Sequence, residues 1–176
     1  TFANHISSRK PFDLEGNVVN DAKKFRLDKK GLKKPIICYG KSKKIGYVER
    51  DEITKNANWI GNYKVFAPYA NNIGTELNDD NLNAFVGEPK TICTETYIVM
   101  GATLNLDLIT STNLVKYFFT KFARFMHSLP KVSQHGTSKT YKFVPLQNFT
   151  AKSDIDWSKS TVEIDKQLYA KYKLTQ

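Results

Sequence analysis

Residues 91–102, TICTETYIVMGA, are dominated by β-forming side chains. Thr, Ile, Tyr and Val pack well on a pleated surface and are enriched in strands. A dense run of such residues is typical of a well-buried strand. We therefore expect residues 91–102 to form the centre of a sheet.

A second run, residues 110–128, carries the pattern of a long helix. Thr110 or Ser111 can cap its first turn. Its polar side chains recur at steps of three or four residues, the spacing that places them on one helix face. Leu, Val, Phe and Met fill the other faces, a surface so wide that the helix must be largely buried. We expect its aromatic side chains to lie in the core.

Shorter segments predict the rest of the sheet. Residues 35–39 and 45–48 flank a glycine-containing basic turn, a pattern that predicts a β-hairpin. Residues 64–68 predict a strand that ends at a proline, and residues 141–145 predict another. Residues 69–89 are rich in Asn, Asp and Gly and predict a long loop.

Near the end of the chain, Ser160 and Glu163 fit a capping box and predict a helix to about Lys173. Taken together, the segments predict an α+β fold. In it, a mixed or mainly antiparallel sheet of about five strands packs against one long buried helix. The C-terminal helix forms an appendage to this unit.

The charge of the chain indicates a polyanionic partner. Lys and Arg number 27 against 17 Asp and Glu, which gives a formal net charge of +10 and a pI near 9.5. Phosphates neutralised by basic side chains release counterions, so nucleic acid is the leading partner class. A Lys-, Asn- and Ile-rich composition is also typical of an AT-rich genome. Residues 23–34 carry seven basic side chains. We interpret this segment as a solvated loop in preference to a loop that contacts phosphates.

Residues 131–142 combine Lys, Gln, His, Ser and Thr around Gly136. Gln and Lys can read base edges, while Ser, Thr and His can reach phosphates. This loop therefore has the chemistry for specific DNA contact. Composition alone favours a polar surface turn.

The sequence carries no catalytic or cofactor motif. Glycine-rich nucleotide loops, the zinc-protease motif and the Asn-Pro-Pro-aromatic motif of adenine methylation are all absent. Cys38 and Cys93 lie in apolar, β-like runs and are interpreted as structural. The three histidines are scattered without a metal-binding pattern, so we expect no metal.

Neither a membrane span nor a signal peptide is indicated by the hydropathy of the sequence. No stretch approaches the roughly 20 apolar residues of a membrane span, and residues 1–10 lack the apolar core of a signal peptide. We expect a soluble, cytoplasmic protein that does not contact a membrane. The chain begins at Thr1 without a methionine and ends just after the predicted helix, so we expect part of a longer protein.

Several short motifs, taken in order, resemble one known family. The later and more specific ones are TETY at 94–97, YFFTKFARF at 117–125, YKFVPLQNF at 141–149, DIDW at 154–157 and IDKQLYAKY at 164–172. The chain resembles the C-terminal region of bacterial type II restriction-modification proteins with an adenine-N6 DNA methyltransferase domain, some of which are fused to an endonuclease. SRKPF at 8–12 and YKV at 63–65 also resemble that family.

The resemblance implies a division of labour within a parent protein. Residues 1–150 would be a DNA target-recognition domain, and residues 151–176 an extended segment with a helix. The parent would use S-adenosylmethionine in a separate catalytic domain, while this chain needs no cofactor and is not itself an enzyme. Its expected partners are double-stranded DNA and the parent's own methyltransferase domain.

In a domain of this kind, the loop at 131–142 becomes the favoured DNA-contact region. The expected contacts there are Gln134, His135, Ser138, Lys139 and Lys142. Supporting phosphate contacts are expected from Lys41, Lys43, Lys44 and Lys64.

Two alternatives belong to other classes of function. Asp79, Asp80 and Glu88 could hold a divalent metal in a nuclease site. The aromatic helix could instead dock a partner polypeptide.

Overall fold

The computed structural model describes residues 1–70, 82–130 and 137–175, and within them the chain has an α+β fold. The strands are β1 (Pro35–Tyr39), β2 (Ile45–Glu49), β3 (Lys64–Pro68), β4 (Phe85–Gly87), β5 (Thr91–Cys93) and β6 (Tyr97–Met100). The helices are α1 (Leu108–Phe119), α2 (Lys121–Ser128) and α3 (Thr161–Lys171). Short 3-10 turns lie at Phe2–His5, Gly16–Asn20, Arg50–Glu52, Ala57–Trp59 and Ser138–Tyr141.

The strands form two small sheets of three strands each, and not the predicted single sheet of five. In the first sheet, β1 pairs with β2 in antiparallel and with β5 in parallel orientation. This confirms the predicted hairpin. In the second sheet, β3 pairs with β4 and β6, both antiparallel. Strand β4 lies within residues 69–89, which were wrongly predicted to be loop throughout.

The prediction of one strand over residues 91–102 is wrong because the chain turns at Thr94. The backbone N–H groups of Thr96 and Tyr97 donate to the side-chain and main-chain oxygens of Thr94. Such local bonds compete with strand pairing. The stretch is therefore divided between the sheets, with β5 beside β1 and β6 beside β3.

The single long helix is also divided in two. Thr120 adopts an extended conformation, and its hydroxyl accepts a hydrogen bond from Ala123 N–H to cap α2. The Asp165 carboxylate of α3 accepts two more bonds, from Lys121 N–H and Phe122 N–H, each at 2.9 Å. The first helix begins earlier than predicted, because Asp107 and Thr110 form a capping box.

Two hydrophobic cores lie on opposite faces of the second sheet. Val65 and Met100 pack with α1 and α2 in the helical core, while Phe66 and Val99 pack against the first sheet. This alternation follows from side chains that point to opposite faces along a strand. The second sheet is therefore the middle layer of the molecule.

The C-terminal segment belongs to the helical layer. Ile155, Trp157, Ile164 and Leu168 are buried in the same core as α1. The capping box between Ser160 and Glu163 opens α3, as predicted. Residues 141–145 do not form the predicted strand, because Tyr141 closes a 3-10 turn and is buried in the helical core.

None of the helices in the described part of the chain is long and apolar enough to cross a membrane.

Candidate nucleic-acid interface

The β1–β2 hairpin ends in a tight turn that carries three exposed lysines. Gly40 N–H donates to Lys44 O at 2.8 Å, and Lys44 N–H donates to Lys41 O at 3.2 Å. The two residues between Lys41 and Lys44, which are Ser42 and Lys43, have φ angles of 57° and 59°. Positive φ at both central positions is the hallmark of the type I′ turn, which suits the twist of a hairpin. The side chains of Lys41, Lys43 and Lys44 are exposed there.

The basic segment before the hairpin lies against its outer strand. Arg26 and Tyr47 exchange two backbone hydrogen bonds, of 2.9 and 2.7 Å. Phe25 is buried beneath this contact. A Cβ atom at Gly46 would lie 2.5 Å from the Phe25 ring and 2.7 Å from Arg26 O. Glycine at this position therefore allows the segment to approach β2.

This arrangement collects most of the charge of the chain in one region. Residues 21–50 hold eleven Lys and Arg against three Asp and Glu, so they carry +8 of the formal net charge of +10. We call the exposed lysines of this region the basic surface; they are Lys23, Lys24, Lys29, Lys30, Lys33, Lys34, Lys41, Lys43 and Lys44.

Most ammonium groups of the basic surface are available to a ligand. Lys34 pairs with Asp51 at 3.1 Å, and Lys29 lies over the Tyr47 ring at 5.4 Å. Glu49 uses both carboxylate oxygens to accept the backbone N–H groups of Lys33 and Lys34. Across residues 1–70, 82–130 and 137–175, the other ammonium groups of the basic surface form no ion pair.

Lys64 does not belong to this surface, which corrects its predicted role as a phosphate contact. Its side chain is fully buried, and its ammonium group donates to the carbonyl oxygens of Trp59, Asn62 and Glu88 at 2.8 to 3.3 Å. Burial lowers its pKa to about 8. Lys64 therefore ties three loop carbonyls together inside the protein. The apolar run that follows it, Val65 to Ala67, is the signal that this lysine lies in a buried strand.

The described part of the loop predicted to contact DNA, residues 137–142, lies on another layer. Gln134 and His135 lie outside the described residues, whereas Ser138, Lys139 and Lys142 are exposed. Tyr141 in the same turn stacks on His127 of α2 at 4.0 Å and is buried in the helical core. Residues 138–142 and the hairpin are thus anchored to different cores, on opposite sides of the second sheet.

The alternative metal site receives no support from the described residues. Asp79 and Asp80 lie outside them, and Glu88 is exposed. The backbone oxygen of Glu88 accepts bonds from Lys64 and Thr91. No group of three His, Cys, Asp or Glu side chains within the described ranges could hold a metal ion.

The alternative in which the aromatic helix docks a partner polypeptide receives little support, because most of its aromatic side chains are buried. Tyr117, Phe118 and Phe122 of the aromatic helices are buried within this chain, and Phe125 is the aromatic residue of α2 that remains exposed. Tyr117 also donates from its hydroxyl to Pro145 O at 2.8 Å. These aromatic side chains therefore build the chain's own core.

No protein-family model, curated protein or solved structure matches the chain. The candidate interface therefore rests on the charge and geometry described above.

Proposed function

We propose that this chain binds double-stranded DNA through the basic surface. The observation that carries the proposal is the concentration of +8 of net charge in residues 21–50. Unpaired ammonium groups at this density attract phosphates and release their counterions. The major groove of B-DNA is wide enough to admit a two-stranded ribbon such as the β1–β2 hairpin.

We further propose that the chain is the target-recognition region of a type II restriction-modification adenine-N6 methyltransferase. The sequence resemblance over residues 94–172 supports this role. Lysines would supply salt-dependent affinity for the backbone, and neighbouring polar and apolar side chains would discriminate bases. The duplex would then be positioned for a separate S-adenosylmethionine-dependent domain, which flips the target adenine.

Selection from a pool of random duplexes tests this function. The full chain is mixed with the pool, bound DNA is recovered and amplified over several rounds, and the recovered sequences are compared. A recognition region enriches one short common sequence. Recovery without any enrichment would indicate a basic surface without base readout, and failure to retain duplexes would contradict DNA binding.

Two sets of substitutions make the selection specific for the surface. The hairpin variant carries Lys41→Gln, Lys43→Gln and Lys44→Gln. The helix variant carries Lys159→Gln, Lys166→Gln and Lys173→Gln, exposed positions at or near α3 on the helical layer. Both sets remove three charges, so retention lost only in the hairpin variant locates the contact on the basic surface.

The 131–142 loop requires its own variant, with Lys139→Gln and Lys142→Gln. If the loop also contacts DNA, this variant retains less duplex than the helix variant. Equal retention would remove Lys139 and Lys142 from the candidate contacts.

A further inference from the structure

Two large apolar side chains are exposed in the middle of the basic surface. Leu27 is 82% exposed and Ile45 is 57% exposed. Single exposed apolar residues are common on proteins, but these two share one cleft with further apolar side chains. Leu27 belongs to the basic segment, and Ile45 is the first residue of β2.

These two side chains border one cleft of about 400 Å³. Its wall also includes Val19, Ala22 and Phe25, and Lys44 lies among its lining residues. The cleft is therefore a mainly apolar recess beside a cationic group. A phosphate would gain little from its apolar wall, whereas a small apolar group carried by a polyanion would fit both features.

Duplex DNA presents such a group. The thymine C5-methyl projects into the major groove, and apolar side chains recognise it there. The phosphates on either side of the groove would lie toward lysines such as Lys41, Lys43 and Lys44. Asn20 also lines the cleft. An Asn amide can pair with the N6 and N7 edge of adenine, which is the partner of thymine.

We propose that the cleft between Leu27 and Ile45 takes thymine C5-methyl groups, so that the basic surface prefers duplexes with thymine at the contacted steps. This inference rests on the proposed function, because it requires the basic surface to face duplex DNA. It adds a base preference that charge alone does not supply.

Replacing thymine by uracil tests the inference, because the two bases differ only by the methyl group. Two otherwise identical AT-rich duplexes, one of each kind, are titrated with the full chain and followed by fluorescence anisotropy. The wild-type chain is expected to bind the thymine duplex about fourfold more tightly for each methyl group that it buries.

Variants locate the preference in the cleft. Leu27→Gln and Ile45→Thr together should bind both duplexes with the affinity of the wild type for the uracil duplex. Both positions are exposed, and Thr keeps the β-branching that suits a strand, so the fold should be retained, which circular dichroism checks. Val162→Thr, at a 66% exposed position on α3, is the matched control and should keep the preference.

The outcomes separate this inference from the proposed function. Equal, salt-dependent binding of both duplexes by the wild type would overturn methyl recognition and leave DNA binding intact. A preference that survives in the cleft variant would also overturn it. Absence of binding to either duplex would overturn the proposed function and this inference together.

Discussion

Lys64 illustrates at the residue scale how the environment of a side chain decides its chemistry. In the sequence it is one of many lysines, and its position at the start of a strand gave no sign of three buried carbonyl partners. Those partners come from Trp59, Asn62 and Glu88, which meet only after β3 and β4 have paired. The apolar run after Lys64 indicates a buried strand, but the three carbonyl partners depend on tertiary contacts that single-sequence reasoning cannot supply.

The buried ammonium group predicts a pH-dependent contribution to stability. Burial lowers the pKa of Lys64 from 10.5 to about 8, so the unfolded chain binds more protons at this residue between those pH values. Relative to Lys64→Met, the free energy of unfolding of the wild type should rise by roughly 3 kcal/mol from pH 8 to pH 10.5. Well below pH 8, where Lys64 is protonated in both the folded and the unfolded chain, the difference should be constant.

Urea denaturation of both proteins across this pH range measures the difference. Lys44→Met, at an exposed position, is the control, and its difference from the wild type should not follow the same rise. A flat difference for Lys64→Met would contradict the buried, carbonyl-bound ammonium group.

At the scale of elements, the hairpin turn combines unfavourable backbone geometry with exposed charge. Ser42 and Lys43 both have left-handed φ angles, which cost a non-glycine residue about 1 kcal/mol. Glycine and asparagine are the usual residues at these positions of a type I′ turn. The presence of serine and lysine there fits a turn that presents a side chain to a ligand.

Single glycine substitutions should separate stability from binding at this turn. Ser42→Gly and Lys43→Gly are each expected to raise the free energy of unfolding by about 0.5 to 1 kcal/mol, because glycine adopts positive φ without steric cost. Only Lys43→Gly should also weaken duplex binding. Thermal denaturation and anisotropy titration measure the two effects, and destabilisation by both variants would contradict the turn geometry.

The element scale also shows what the sequence could and could not predict. The hairpin was predicted from two short strand-like runs around a glycine-containing basic turn, and β3 from a run that ends at a proline. Helix α3 was predicted from the Ser160–Glu163 capping box and the four-residue spacing of its apolar side chains. The breaks at Thr94 and Thr120 did not, since each depends on one hydroxyl that bonds to nearby backbone N–H groups. A threonine in a strand-like or helix-like run gives no sign of whether its hydroxyl will do so.

The candidate interface was likewise predictable only in part from the sequence. The lysines of the hairpin turn were predicted as phosphate contacts, and the structure places them on an exposed turn. The neighbouring lysines of residues 23–34 were interpreted as a solvated loop. Their place beside β2 depends on Phe25 and on the space left by Gly46, a contact between distant residues that no local pattern indicates.

At the scale of the whole molecule, the middle sheet joins the two cores. Strands β3 and β6 contribute side chains to both, so neither core can be lost without disturbing the other. Equilibrium unfolding should therefore be a single cooperative transition.

Two probes, one in each core, test this cooperativity. Cys38 and Cys93 are buried thiols in the core between the sheets, and burial raises the pKa of Cys38 to about 12. They should resist a thiol reagent at pH 8 until the chain unfolds. In Trp59→Phe, fluorescence reports Trp157 in the helical core. Coincident urea midpoints are expected, and two separated midpoints would show that the cores unfold independently.

The proposed DNA contact lies on the basic surface, and the salt dependence of duplex binding tests this placement most directly. Each phosphate contact contributes about 0.9 to the slope of log K against log salt concentration. The hairpin variant should therefore reduce the slope by up to about 2.7, whereas the helix variant, with the same loss of charge, should leave it nearly unchanged. Equal slopes for the wild type and the hairpin variant would contradict the placement.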